Sequence, residues 1–477
     1  MVYDVLIAGA GVVGGMVARE LSKYNLAVCI LEKENDVACG ASKANSGIIH
    51  GGYDPMPGTL KAKLNVEGVP LLYQAAEELN VPYRRNGSLI VAFGTEEERT
   101  LRKLYDRGIE NGVNGMSIIS GEEARRTEPN ISSEITGALV VSSAGIICPY
   151  ELTVAAVGNA MDNGVELRRN FEIVSVDKND DIFTVNSVNG ESIKGRFFVN
   201  CAGTAADKVA SFFKDDFFKI IFRVGEYLLL DKTEGGKVSH TIFRVPTEKG
   251  KGILVSPTVD GNLITGPTAT EVFEADDKRT TPSGMESVMS SAKESVPSIE
   301  FRKVITSFAG VRASEKDGDF IIRRSEKVKG LIHAAAIDSP GLTSCVSIAR
   351  LVADLLRKEG LVTRENPNWN GIRKDPHAFR KMSDAEKDEY IKGHVEFGKI
   401  ICRCETVSEG EIRAALRENP IPYDIDGIKR RTRSGMGRCQ GGFCSPSVMR
   451  IISEELGIPL EEVSKKGKGS EFVIGKM

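Results

Sequence analysis

The sequence predicts an α/β protein: a discontinuous nucleotide-binding domain, an inserted antiparallel-sheet domain, and a small helical domain at the C-terminal end. Three observations point there. A glycine fingerprint lies between a strand and a helix within the first 50 residues. Strand-like segments of a different pattern fill the middle of the chain, and nucleotide-binding segments resume at 330–356. Four of the nine cysteines fall within positions 402–444.

The 477 residues exceed what one hydrophobic core serves, so two or three domains are expected. Hydrophobic residues make up 41% and charged residues 27%, an ordinary soluble balance. The net charge of −3 supplies no global basic field for nucleic acid or an anionic membrane. No run approaches the ~18 apolar residues of a transmembrane segment. The N-terminus reads as a strand and not as a basic leader. A cytoplasmic protein is expected, with any membrane attachment made through a partner.

Val5-Leu6-Ile7-Ala8 is a buried strand, the next helix has apolar positions at Val13, Val17 and Leu21, and 26–31 is a second strand, giving one βαβ unit. Further helices are expected at 60–80, 95–112, 149–163, 284–295, 347–356 and 384–392. Strands are expected at 88–93, 137–147, 166–176, 184–188, 197–200, 320–323 and 331–335. Those at 225–230, 241–245, 253–256 and 263–266 suggest the separate antiparallel sheet. The division is 1–80, 140–215 and 305–360 for the nucleotide-binding domain, and 81–139 and 216–304 for the inserted substrate domain. A linker at 361–398 leads to a last domain at 399–477.

Gly9-x-Gly11-x-x-Gly14 follows a strand and opens a helix, and Glu32 ends the next strand. That context makes it a Rossmann-like dinucleotide site. Gly9 permits the tight turn, Gly11 leaves room for a pyrophosphate, and Gly14 lets helix and strand pack closely. Amides at the helix start face the diphosphate, and Glu32 accepts hydrogen bonds from the ribose. The small-residue loop 40–52 follows at once and suits a long cofactor running on to a flavin. The strand ending at Cys201-Ala202-Gly203, and Ser339-Pro340-Gly341-Leu342-Thr343 before a helix, fit the same cofactor, FAD.

These segments resemble the D-amino-acid-oxidase-like FAD-dependent oxidoreductases, and within them the anaerobic glycerol-3-phosphate dehydrogenase large subunits. The stretch 45–64 is also similar to L-2-hydroxyglutarate dehydrogenases. The resemblance covers nearly the whole chain. It implies FAD held by the fingerprint (Gly9, Gly11, Val13, Gly14) and Glu32, with contacts from Lys33, Ser42, Asn45, Ser46, Gly47 and Ile48. It also implies contacts from Ile173, Ala202 and Gly203, and from Gly341, Leu342 and Thr343 at the flavin.

Cys402-x-Cys404 and Cys439-x4-Cys444 can hold one tetrahedral metal or a [2Fe-2S] cluster, and spacing alone does not exclude zinc. A Ser408/Glu411 capping box and Ser445-Pro446 place helix N-termini beside both loops, with Ser445 as an N-cap. The basic run 429–433 reads either as a solvated face or as compensation for cluster charge and a dock for an acidic partner. The motif resembles the bacterioferritin-associated-ferredoxin-like [2Fe-2S] domain, with four residues in its second pair where that small protein has two.

Oxidising a secondary alcohol needs a base at the hydroxyl and a cation for the substrate anion. His50 is the expected base and Arg312 the expected anchor for a phosphate or carboxylate; Arg223 and Lys251 are weaker choices. The leading reading is an FAD-dependent dehydrogenase of sn-glycerol 3-phosphate that sends electrons through a [2Fe-2S] cluster to an external acceptor or partner subunit. A 2-hydroxy acid or an amino acid is the alternative substrate. A non-catalytic electron-transfer subunit is the reading from another class.

Overall fold

A computed structural model describes residues 1–246, 252–473 and 475; Lys251 lies outside them. The first sheet runs in the order Ile173–Asn179, Ile182–Ser187, Ser192–Asn200, Val2–Ala8, Val28–Leu31, Glu166–Arg168. Val2–Ala8 pairs in parallel with both neighbours. Its Val5, Leu6 and Ile7 are fully buried, as a strand covered on both faces requires. Ser192–Asn200 divides its free edge. Its first half pairs with Ile182–Ser187, and its second half runs parallel to Leu331–Ala335.

Gly341–Lys358 packs against both Val12–Leu21 and Leu60–Glu78. It begins six residues before the expected 347, because Gly341, Ser344 and Ser347 interrupt the apolar period without interrupting the helix. Ser347 Oγ donates to Leu64 O at 2.6 Å and fastens this helix to its neighbour.

The second sheet has nine strands, in the order Thr270–Val272, Ile221–Leu230, Leu263–Gly266, Leu254–Pro257, Thr241–Arg244, Ser88–Ala92, Gly137–Val141, Met116–Ser120, with Val304–Ser314 on Ile221–Leu230. The four expected strands all lie in it. It is antiparallel except where Thr241–Arg244 runs parallel to Ser88–Ala92. Val304–Ser314 pairs with Ile221–Leu230 along its whole length, so it belongs here and not with 305–360 of the first domain.

The C-terminal unit has a short hairpin, Ile400–Cys402 with Val407–Ser408, and the helices Glu409–Ala415, Ile425–Thr432 and Ser445–Leu456. Val407, Ile412, Ile428, Ile451 and Ile452 form its core. The Ser408/Glu411 capping box is present, whereas Cys444, not Ser445, stands at the N-cap of the last helix.

The expected linker is a strap bonded to its surroundings. Trp369 Nε1 donates to Ser22 Oγ at 3.1 Å, Arg19 Nη2 donates to Gly371 O at 3.1 Å, and His377 Nε2 meets Glu151 at 2.8 Å. The basic run also differs from both expectations. Arg430 and Arg431 are buried on Asp36, at 2.6 and 2.8 Å, and Arg433 is buried on Glu405 and Asp260. They join the C-terminal unit to the rest of the chain instead of facing solvent. Desolvation pushes the Asp36 carboxyl up, but Arg431 and Arg430 outweigh it and hold it well below the usual carboxylate range.

Asp36→Ala leaves two buried guanidiniums without their carboxylate and is expected to weaken docking of 399–477 by about 3–5 kcal/mol. Differential scanning calorimetry and limited proteolysis should show that unit opening before the rest. Because the folded value is depressed, the contribution is full above the unfolded Asp value of ~3.9 and is lost only as pH falls through the folded one. The Asp36 contribution to docking, read as the difference between the unaltered protein and Asp36→Ala, should therefore stay constant from about pH 8 to about pH 5.

Candidate active site and thiol cluster

A cleft of about 1360 Å³ opens at the C-terminal ends of the first sheet's parallel strands and extends to the second sheet. Crevices at such strand ends are where open α/β sheets bind their ligands. Its lining includes Gly9, Gly11, Val13, Glu32, Lys33, Ser42, Asn45, Ser46, Ile48, Ile173, Ala202, Gly203, Gly341 and Leu342, together with His50 and Arg312. Gly14, Gly47 and Thr343 stand one layer back. A Cβ on Gly14 would collide with Gly9 O, and one on Gly47 with Ile147 O. Thr343 Oγ1 accepts the His50 backbone N–H at 2.9 Å. These three shape the cleft and do not line it.

The cradle fits a dinucleotide. Gly9 has φ +99°, and a Cβ there would lie 2.6 Å from Cys201 O. Val12 N–H at the helix start donates to Ser42 Oγ at 2.9 Å. Glu32 accepts Ala10 N–H at 2.6 Å and Glu34 N–H at 3.0 Å. Burial pushes its carboxyl up to about 6 against the pull of those two amides. Asn45 staples its own loop, donating to Ala41 O at 3.0 Å and accepting from Gly47 N–H at 2.9 Å. Lys33 pairs with Glu34 at 3.6 Å.

His50 is held by its backbone on Thr343 and by Asn65 Nδ2, which donates to His50 O at 2.6 Å. Its Nε2 lies 3.3 Å from Ser339 Oγ, and its ring leans on Phe243. Arg312 lies within Val304–Ser314, opposite Arg223, and its Nη2 donates to Thr268 O at 3.1 Å. Arg223 is half-exposed and pairs with Glu271 at 3.3 Å.

Several contributors carry no sequence signal. Gly225 has no side chain where the Arg312 guanidinium lies, and Gly310 lets its strand close onto Ala44 of the cofactor loop. Lys61 pairs with Asp338 at 2.5 Å on the cleft wall.

The four C-terminal cysteines form two pairs. Cys404 Sγ and Cys439 Sγ are 3.7 Å apart on the solvent side, and Cys402 and Cys444 are hydrogen-bonded to each other beneath the surface. Backbone amides of Gly435, Glu405 and Cys404 point at Cys402 sulfur, and those of Phe443 and Gly441 at Cys439 sulfur. The Cys444 contact and these amides hold the Cys402 thiol well below its usual value. Gly437 leaves room for the Cys404 side chain. Among the described residues, no three His, Cys, Asp or Glu side chains converge on one metal position. These four cysteines are the residues that would hold a [2Fe-2S] cluster.

Comparison with known proteins agrees with this geometry. Residues 4–355 match the FAD dependent oxidoreductase family (DAO), and residues 400–454 match the BFD-like [2Fe-2S] binding domain. A glycerol 3-phosphate dehydrogenase of Caloramator mitchellensis is 45% identical over 99% of this chain and 98% of its own. A glycerol 3-phosphate oxidase of Mycoplasma genitalium is 35% identical over 77% of this chain and 97% of its own. The solved structure of dithionite-reduced L-α-glycerophosphate oxidase from Mycoplasma pneumoniae, with FAD bound, superposes with a TM-score of 0.75 at 34% identity, covering 78% of this chain and 98% of that one. The chain belongs to the FAD-dependent oxidoreductase family and joins its FAD domain to a C-terminal [2Fe-2S] domain.

Proposed function

We propose that this protein oxidises sn-glycerol 3-phosphate to dihydroxyacetone phosphate, with FAD and a [2Fe-2S] cluster as its redox groups and an external acceptor as the final oxidant. The observation that carries this reading is end-to-end similarity to a glycerol 3-phosphate dehydrogenase across both the FAD domain and the cysteine domain. The 2-hydroxy-acid, amino-acid and non-catalytic readings are not favoured by that relative or by the two oxidases. Among the described residues no helix is long and apolar enough to cross a membrane. A cytoplasmic location, with an electron-accepting partner subunit as the route to any membrane, belongs to the same reading.

When bound, FAD takes up a hydride and the cluster handles single electrons. Gly9, Gly11, Val13, Glu32, Lys33, Ser42, Asn45, Ser46, Ile48, Ile173, Ala202, Gly203, Gly341 and Leu342 would hold FAD, with Gly14, Gly47 and Thr343 shaping the cradle behind them, and Cys402, Cys404, Cys439 and Cys444 would hold the cluster. Arg312, on the strand that closes onto the cofactor loop, receives the substrate phosphate as a planar double donor for phosphate oxygens. His50 takes the hydroxyl proton at Nε2, and imidazole accepts protons near neutral pH. Tyr227, stacked on Phe308 at 4.9 Å, and Phe243 line the cleft with rings that exclude water.

Anaerobic addition of glycerol 3-phosphate should bleach the flavin and iron–sulfur absorbance. Full flavin and cluster bands that this substrate leaves unbleached would refute the assignment. Arg312→Ala should raise the apparent Kd for the substrate about 100-fold with FAD content unchanged, measured by titrating the flavin spectrum. His50→Ala should slow substrate-driven flavin reduction by roughly 10²–10⁴-fold in stopped flow, with little change in substrate affinity.

A further inference from the structure

We propose that the solvent face around Cys404 and Cys439 is a docking surface for an acidic protein carrying a one-electron acceptor; this rests on the redox reading above. The two thiol pairs differ in burial. Cys402 and Cys444 are covered, whereas Cys404 is exposed and Cys439 partly so, which leaves one side of the cluster site open to a partner. Beside that opening Phe443 is 87% exposed. Exposed aromatic and arginine side chains are the usual anchors of protein interfaces.

The exposed charged residues nearest in sequence to Phe443 and to the first cysteine pair are arginines. Arg403 is exposed and makes no ion pair among the described residues. The Arg438 side chain is 70% exposed while Asp231 fixes its orientation. The stretch 436–446 contains no carboxylate. Glu405, the one acid beside the first cysteine pair, has a side chain only 3% exposed and is neutralised by Arg433 and Lys232. The basic run 429–433 spends Arg430, Arg431 and Arg433 on internal carboxylates, so it does not supply this face. A partner with carboxylates around its own redox centre complements this surface and is steered to it.

Each alcohol oxidised releases two electrons and two protons. Two ferric haems of such a partner become ferrous, and the protons pass to solvent. The test uses the holoenzyme with two haem probes, a soluble acidic b-type cytochrome and a basic c-type cytochrome. Calorimetric titration should show binding of the acidic protein only, weakening as salt rises. Phe443→Ala, which removes the ring and keeps the backbone amide on Cys439, and Arg403→Glu should each weaken that binding on the order of tenfold. Reduction of the acidic cytochrome should slow alike. Reduction of a small dye by glycerol 3-phosphate and the electron paramagnetic resonance signal of the cluster should not change. Equal binding of the basic cytochrome, binding of neither, or variants that shift the cluster signal without changing affinity would overturn the proposal. Charge-dependent binding without dye reduction would keep the docking face and reject the substrate reading instead.

Discussion

Asp36 holds two guanidiniums out of water, and the placement of the C-terminal unit depends on that contact. It stands four residues beyond Glu32, on the loop that leaves the second strand of the first sheet. A lone carboxylate at full burial would be driven toward its neutral form. With Arg430 and Arg431 against it, the charge persists, and either partner alone would carry an uncompensated desolvation cost. One short loop therefore places an acid in the cleft and another against the thiol domain. The Trp369 strap and the Arg433 contacts follow the same seam, so the two cofactor-bearing parts of the chain meet along a bonded interface.

The βαβ unit was legible because its signals are local: an apolar strand, three glycines at fixed offsets, and an acid at the next strand end. The cysteine spacing was legible for the same reason. The path of Val304–Ser314 was not, since an edge pairing with Ile221–Leu230 is decided by tertiary contact and not by the strand's own pattern. The arginine run shows the limit most clearly. A cluster of like charges reads as a solvated face until the acids that neutralise it, Asp260 and Asp36 among them at 173 to 395 positions away in sequence, are brought alongside. Gly225 and Gly310 were invisible because what they contribute is empty space for Arg312 and Ala44.

The cleft takes its two kinds of chemistry from two sheets. The fingerprint, Glu32 and the loop to His50 belong to the first, where parallel strands end together and helix amides converge. Arg312 belongs to the second, lying across Gly225 and fixed on Thr268. Gly310 brings the two into register by letting the arginine strand touch the cofactor loop. The arginine side of the cleft can thus be altered on one strand while the glycine fingerprint on the other sheet stays as it is.

The uneven cover of the two thiol pairs bears on chemical durability. Sulfur at the surface meets dissolved oxygen and peroxide as readily as it meets a partner, and thiolate oxidation follows access. Cys404 and Cys439 would be attacked first, and Cys402 and Cys444, covered beneath them, last. The order in which the four thiols are lost would thus record how deeply each is covered.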